Sequence, residues 1–89
     1  MKEDIGDIRE RGKDYLKYKT LTYIKEVIKG RENFYNGFVV SVHTDLIVFF
    51  DIIIKREFPI QLDAIEVLEP SKKDFDIKTA LEIYKENKK

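Results

Sequence analysis

The 89-residue chain is predicted to be mostly β: a small five-stranded antiparallel barrel with a short N-terminal helix and a C-terminal helix. Three observations lead there. Phe38, Val40 and Val42 alternate with Val39, Ser41 and His43, and Phe58, Ile60 and Leu62 alternate with Pro59 and Gln61, the period of two that marks half-buried strands. The polar stretches between the apolar runs are short, as tight turns require. Helical spacing is confined to the ends, which divides the chain into an N-terminal helical extension (1–17), the barrel (18–70) and a C-terminal helix (71–89).

Between Ile5 and Leu16, the residues Ile5, Ile8, Tyr15 and Leu16 suit one helical face. Gly6 and Gly12 each weaken that helix by roughly 1 kcal/mol relative to Ala, so it is read as short and frayed. Residues 18–29 admit two readings. Leu21, Ile24, Val27 and Ile28 fit a helical stripe, whereas Thr20, Thr22, Tyr23, Ile24, Val27 and Ile28 are strand formers, with Leu21, Tyr23 and Val27 on one side. Strand is the expectation. Lys29 to Asn33, holding Gly30, supplies a turn; Thr44-Asp45 closes a hairpin; Leu46 to Ile54 follows as a strand apolar on both faces. Lys55-Arg56-Glu57 is read as the next turn, and Ile65 to Leu68 as the last strand, ended by Glu69-Pro70. A helix over 73–86 closes the chain, capped by Ser71 or Asp76. Its residues Ile77, Ala80, Leu81 and Tyr84 recur at helical spacing, and Lys85, Lys88 and Lys89 suit its negative end.

With no cysteine there is neither a disulfide framework nor a thiolate site. The opening Met1-Lys2-Glu3-Asp4 lacks the apolar stretch of a signal peptide, and the longest apolar run, Leu46 to Phe50, is far too short to cross a bilayer. The expected compartment is the cytoplasm, with no membrane partner. The 38% charged content is compatible with heat adaptation, where ion-pair networks gain value, and equally with an AT-rich genome. Net charge is zero but uneven. Residues 1–32 carry nine basic and seven acidic groups, residues 33–70 two and six, and residues 71–89 six and four. Phosphate-binding surfaces are basic, so a nucleic-acid site belongs to the flanks rather than the acidic middle.

The stretch from Tyr23 to Pro70 resembles the Sm-like family, including its bacterial RNA-chaperone branch. The resemblance rests on a strand, the Gly30 turn, Phe34-Tyr35-Asn36-Gly37-Phe38-Val39-Val40-Ser41-Val42, the hairpin His43-Thr44-Asp45, Leu46-Ile47-Val48-Phe49-Phe50-Asp51, and Pro59 to Leu68 as a last pair of strands. Other SH3-like barrels, such as the C-terminal domain of ribosome maturation factors, share this rhythm. The resemblance implies a small barrel and an association with RNA. The family's RNA-contact motifs are absent: Asp45 is followed by Leu46-Ile47-Val48-Phe49 with no Asn, and there is no Arg-Gly pair before the last strand. Where the chaperones carry Tyr-Lys-His, this chain has Gln61-Leu62-Asp63.

Catalytic chemistry is not expected. Ser41 and Ser71 have no evident base, the four glycines are isolated and form no phosphate loop, and His43 with Asp45 and Asp51 is an incomplete ligand set. No cofactor, metal or small-molecule substrate follows from the sequence. Two binding candidates remain. From Arg9 to Arg31 the basic residues Arg9, Arg11, Lys13, Lys17, Lys19, Lys25, Lys29 and Arg31 outnumber Glu10, Asp14 and Glu26, with Tyr15, Tyr18 and Tyr23 among them. Cations for phosphates and rings for bases suit single-stranded RNA, with Tyr23 as a stacking residue; the bland reading is a solvated Lys-rich face. The apolar stretch 46–54 is the other candidate. Terminal helices, a bend in the strand, or another subunit could account for its two apolar faces. A contact through Ile47, Phe49 and Ile53 predicts a homo-oligomer, a face-to-face dimer rather than a ring, because Pro59 lacks the N–H that edge pairing needs. The functional expectation is therefore a non-catalytic, RNA-associated module, with a protein-interaction or assembly module as the alternative.

Overall fold

The structure, a computed structural model, describes residues 4–72 and 76–87. Helix α1, Ile5–Lys17, begins where Asp4 accepts from the Gly6 N–H and ends at Tyr18. Lys19 then takes a left-handed φ of 50°, and the Lys19 and Thr20 amides donate back to the Leu16 and Tyr15 carbonyls. That is a Schellman stop with lysine in the position glycine usually fills. Strand β1, Thr22–Ile28, follows, so the ambiguous segment is a strand.

Lys29 (φ 51°) and Gly30 (φ 78°) form a two-residue hairpin turn of the type that needs two positive φ values. Strand β2, Arg31–Val42, pairs with β1 and then with β3, Leu46–Asp51. Gly37 pairs with Asp51 of β3, and a Cβ there would collide with the Phe50 carbonyl oxygen. Only glycine permits that approach. After β4, Arg56–Gln61, a 3-10 turn at Leu62–Ala64 leads into β5, Ile65–Pro70, which pairs with β1.

The protein is thus mostly β, with five antiparallel strands in one sheet, in the order β4-β3-β2-β1-β5, plus two helices. The closed barrel expected from the sequence is not formed. β4 and β5 are the two edges of an open sheet, joined through the 3-10 turn and unpaired with each other.

The strand expected over 46–54 is also shorter. Asp51 accepts from the Ile53 and Ile54 amides through Oδ1 (2.7 and 3.2 Å), and its carbonyl accepts from the Lys55 N–H. Those bonds turn the chain at 52–55, and Arg56 and Glu57, expected in the turn, belong to β4 instead. Helix α2, Ile77–Asn87, is capped by Asp76, which accepts from the Lys78 amide and the Thr79 hydroxyl. The Ser71 hydroxyl donates to Asn36 Oδ1 and its amide to the Leu21 carbonyl. The expected helical start at 73 lies outside the described residues.

Two apolar clusters lie against the sheet. Ile8 of α1 packs with Ile24, Val39, Ile47, Phe49, Ile60, Leu62, Ile65 and Leu68, so the N-terminal helix is part of the main core. Ala80 and Tyr84 of α2 pack with Leu21, Phe38, Phe50 and Ile52. The Tyr84 ring stands 5.3 Å from Phe38 and 5.2 Å from Phe50, centroid to centroid. Both faces of β3 are therefore apolar because each meets its own cluster, one including α1 and the other α2.

Candidate binding face

Consecutive aromatics in a strand point to opposite faces, and Phe34-Tyr35 in β2 does so with opposite chemistry. Tyr35 turns inward. It packs against Phe58 at 4.8 Å and donates to Glu26 Oε1 at 2.9 Å, an oxygen that also accepts from Asn33 Nδ2. Glu26 is only 6% exposed. Burial, then the bond to Glu26 and the charges of Glu26 and Asp51, push the Tyr35 phenol up to about 12.

Phe34 turns outward and is 55% exposed. Tyr23 pairs with Asn36 and Lys25 with Phe34, which makes Tyr23 and Phe34 diagonal neighbours. Their rings lie 6.4 Å apart and 12° from parallel. Beside them the Asp51 turn presents Ile53 and Ile54, 63% and 55% exposed, and the four residues line a groove of about 540 Å³ together with Tyr35, Asn36 and Asp51. Cations and acids border this face together. Lys25 Nζ lies 2.7 Å from Glu32 and 3.9 Å from Glu66, and the Glu32 carboxylate above all raises the Lys25 pKa. Lys29 and Arg31 line a second groove at the hairpin tip with Ile28 and Asn33.

The basic residues singled out from the sequence do not converge on one surface. Arg9 donates through Nε and Nη2 to the Thr44 carbonyl, tying α1 to the β2–β3 hairpin. Arg11 donates to the Leu68 carbonyl of β5. Lys13 pairs with Glu10, Lys17 lies 5.3 Å over the Tyr18 ring, and Lys19 closes α1. Lys25, Lys29, Arg31 and Tyr23 belong to the β1–β2 hairpin. His43, at the hairpin end, is exposed and bonded to Ser41 Oγ.

The proposed contact row needs correction. Ile47 and Phe49 are 0% exposed within this one chain, consumed by the core, and cannot meet a second subunit. Ile53 is available, though on the turn and not on the strand. Phe34 and Ile54 were missed. The signal for Phe34 was its aromatic neighbour, since adjacent residues of one strand point to opposite faces and Phe34 cannot share the Tyr35 cluster.

Among the described residues no group of three or more His, Cys, Asp or Glu side chains gathers as metal ligands would, and no helix is long and apolar enough to cross a membrane. Comparison with family models, curated proteins and solved structures gives no match to this chain.

Proposed function

We propose that the chain is a non-catalytic protein-interaction module that works through the outward face of the β1–β2 hairpin. What supports a resemblance to Sm-like and SH3-like proteins is limited to five antiparallel strands between two helices, in a sheet that stays open. One observation carries the functional reading: Phe34, Ile53 and Ile54, each more than half exposed, adjoin Tyr23 on one face. Contiguous exposed apolar side chains with a mixed-charge rim characterise protein contacts. Four of the nine sequence-nominated residues, Arg9, Arg11, Lys13 and Lys25, already hold backbone carbonyls or carboxylates, which lowers the charge available to phosphates.

A photo-reactive benzophenone side chain placed at position 34 or 53 in expressing cells tests this. Polypeptide adducts are expected at both positions and not at Glu57 on β4. Equal labelling at all three positions removes the reading.

Single-stranded RNA is the second reading, favoured by the near-parallel Tyr23 and Phe34 rings on the same hairpin as Lys29 and Arg31. Each stacked base is worth about 1–3 kcal/mol in such sites. Its mark is a nuclease-sensitive adduct at position 34. It also requires oligonucleotide binding that falls steeply with salt and disappears when Lys25, Lys29 and Arg31 are all changed to Glu.

A further inference from the structure

We infer that the groove between α1 and the β2–β3 hairpin binds a phosphoryl dianion, either free phosphate or the phosphate of a phosphorylated side chain. The groove shares no residue with the Tyr23–Phe34 face, so this site is independent of the interaction reading above.

Three observations carry it. The first is the make-up of the walls. Arg9, Lys13, Val42, His43 and Thr44 line a groove of about 450 Å³. Two of these residues are cations, a third becomes one on protonation, and none of the five is a carboxylate. In a chain of zero net charge, that is a local positive excess of the kind a compact anion seeks.

Fixation is the second. Arg9 and Lys13 stand four residues apart on α1 and therefore share one side of the helix. Gly12, between them, lets the helix lie close on the hairpin: a Cβ there would stand 3.6 Å from Val42 Cγ2 and 3.7 Å from Ile47 Cγ2. Arg9 Nε and Nη2 donate to the Thr44 carbonyl at 3.0 and 2.7 Å. Those bonds clamp the guanidinium across the two elements without neutralising it, and they do not use the donors on Nη1. A cation held in place in advance loses little freedom when an anion arrives.

The third observation is availability. Lys13 is held by Glu10 at 3.0 Å, with both side chains more than half exposed. Such a pair contributes little, and a dianion offers the ammonium twice the charge of that carboxylate. His43 is exposed, and its Nε2 lies 3.0 Å from Ser41 Oγ. That contact steadies the ring and leaves Nδ1 as its second donor in the protonated form. Glu10 and Asp45, the acids adjacent in sequence to Arg9 and Thr44, are exposed and outside the lining. A polynucleotide needs cations strung along its backbone, which folding disperses here; a single phosphoryl group needs only the few that meet at this groove.

Titration of the full chain with inorganic phosphate, at constant pH and ionic strength and followed by nuclear magnetic resonance, tests the inference. His43 is the sole histidine, so its ring signals report the site directly. They and the amides of 42–44 are expected to shift and to saturate, with half-saturation in the millimolar range or below. Lys13→Glu should abolish saturation, and His43→Gln, read at the amides, should weaken it on the order of tenfold. Both positions are exposed, so the circular dichroism of each variant should match the parent, and Lys78→Gln on α2 should change nothing. Shifts that stay linear overturn the inference. So does saturation that survives Lys13→Glu, or saturation centred on the amides of 29–33. A short phosphoserine peptide then separates the sources. Affinity no tighter than that of inorganic phosphate assigns free phosphate, and tighter binding assigns a phosphorylated side chain. Equal binding of the unphosphorylated peptide overturns the phosphoryl site.

Discussion

Two neighbouring apolar regions of the sheet meet opposite fates. Phe38, Phe50 and Ile52 lie under α2, with Tyr84 seated between the two phenylalanine rings. Next to them, Tyr23, Phe34, Ile53 and Ile54 line a groove that faces outward. Composition does not separate the two groups. Coverage does: α2 supplies a lid for one and the described residues supply none for the other. The covered group stabilises the monomer, whereas the open group, uncovered among the described residues, contributes little to it.

The sharpest way to break that contrast is to truncate one phenylalanine from each side. Phe50→Ala empties a packed site and is expected to cost about 3–5 kcal/mol. Phe34→Ala removes a side chain already in water and is expected to cost less than about 0.5 kcal/mol. Urea denaturation of both variants, at concentrations low enough to keep the chain monomeric, decides it. Comparable losses would mean that Phe34 is part of the core and that the open face has been misread.

A smaller effect separates the two sides of the hairpin itself. Tyr35→Phe leaves the buried Glu26 with one donor fewer and is expected to cost about 1–3 kcal/mol near neutral pH. The alkaline limb carries the same information. The Tyr35 phenol ionises near 12 in the folded chain against an ordinary 10.0. Between those values the native state holds a proton that the unfolded chain has released, so stability falls as pH rises above 10 and through 12. Tyr15, raised chiefly by burial, acts in the same direction. Tyr35→Phe should therefore flatten part of the alkaline fall in melting temperature without abolishing it. A slope unchanged by the substitution would remove the account of Glu26 and Tyr35.

Much of the fold was legible, for local reasons. The alternation at 38–42 and 58–62, the Gly30 turn and the 77–84 spacing each report a single element, and each element formed. What stayed hidden depended on distant partners. Ile52-Ile53-Ile54 continues an apolar strand in composition, yet Asp51 ends that strand by taking two amides with its carboxylate; an aspartate closing an apolar run is a turn signal that hydrophobicity outweighed. Barrel closure needs β4 to pair with β5, and no local pattern encodes that. The basic stretch 9–31 was continuous only along the chain. Folding sends Arg9 to one hairpin and Arg11 to β5, and leaves Lys29 and Arg31 at another tip.

The lid itself offers a milder perturbation. Asp76 accepts from the Lys78 amide and the Thr79 hydroxyl at the start of α2, and Asp76→Ala should cost about 1 kcal/mol, the usual loss for a helix cap. Hydrogen exchange should quicken at the amides of 78–80 while those of the β1–β2 hairpin stay protected. Equal quickening in both regions would show that α2 also holds the open face together, and the contrast between covered and uncovered side chains would lose its meaning.

The least change in stability is expected at Lys25, on the open side. Its ammonium is held by Glu32 at 2.7 Å and more loosely by Glu66, and its raised pKa records chiefly the hydrogen bond to Glu32. Ion pairs that water reaches contribute little to folding, because Coulomb attraction is screened and long side chains lose freedom. Lys25→Met should therefore leave the melting temperature of the monomer unmoved within error. Its effect belongs to association instead, since Lys25 pairs directly with Phe34 across the hairpin and its removal leaves Glu32 and Glu66 as uncompensated acids beside the apolar centre. Where a protein partner places acids against them, binding should weaken most at low salt and recover as salt screens the repulsion. Binding that depended on phosphate contacts would behave in the opposite way, weakening further as salt rises. One variant examined at two ionic strengths thus separates a fold-stabilising pair from an interface pair, and a protein partner from a nucleic acid.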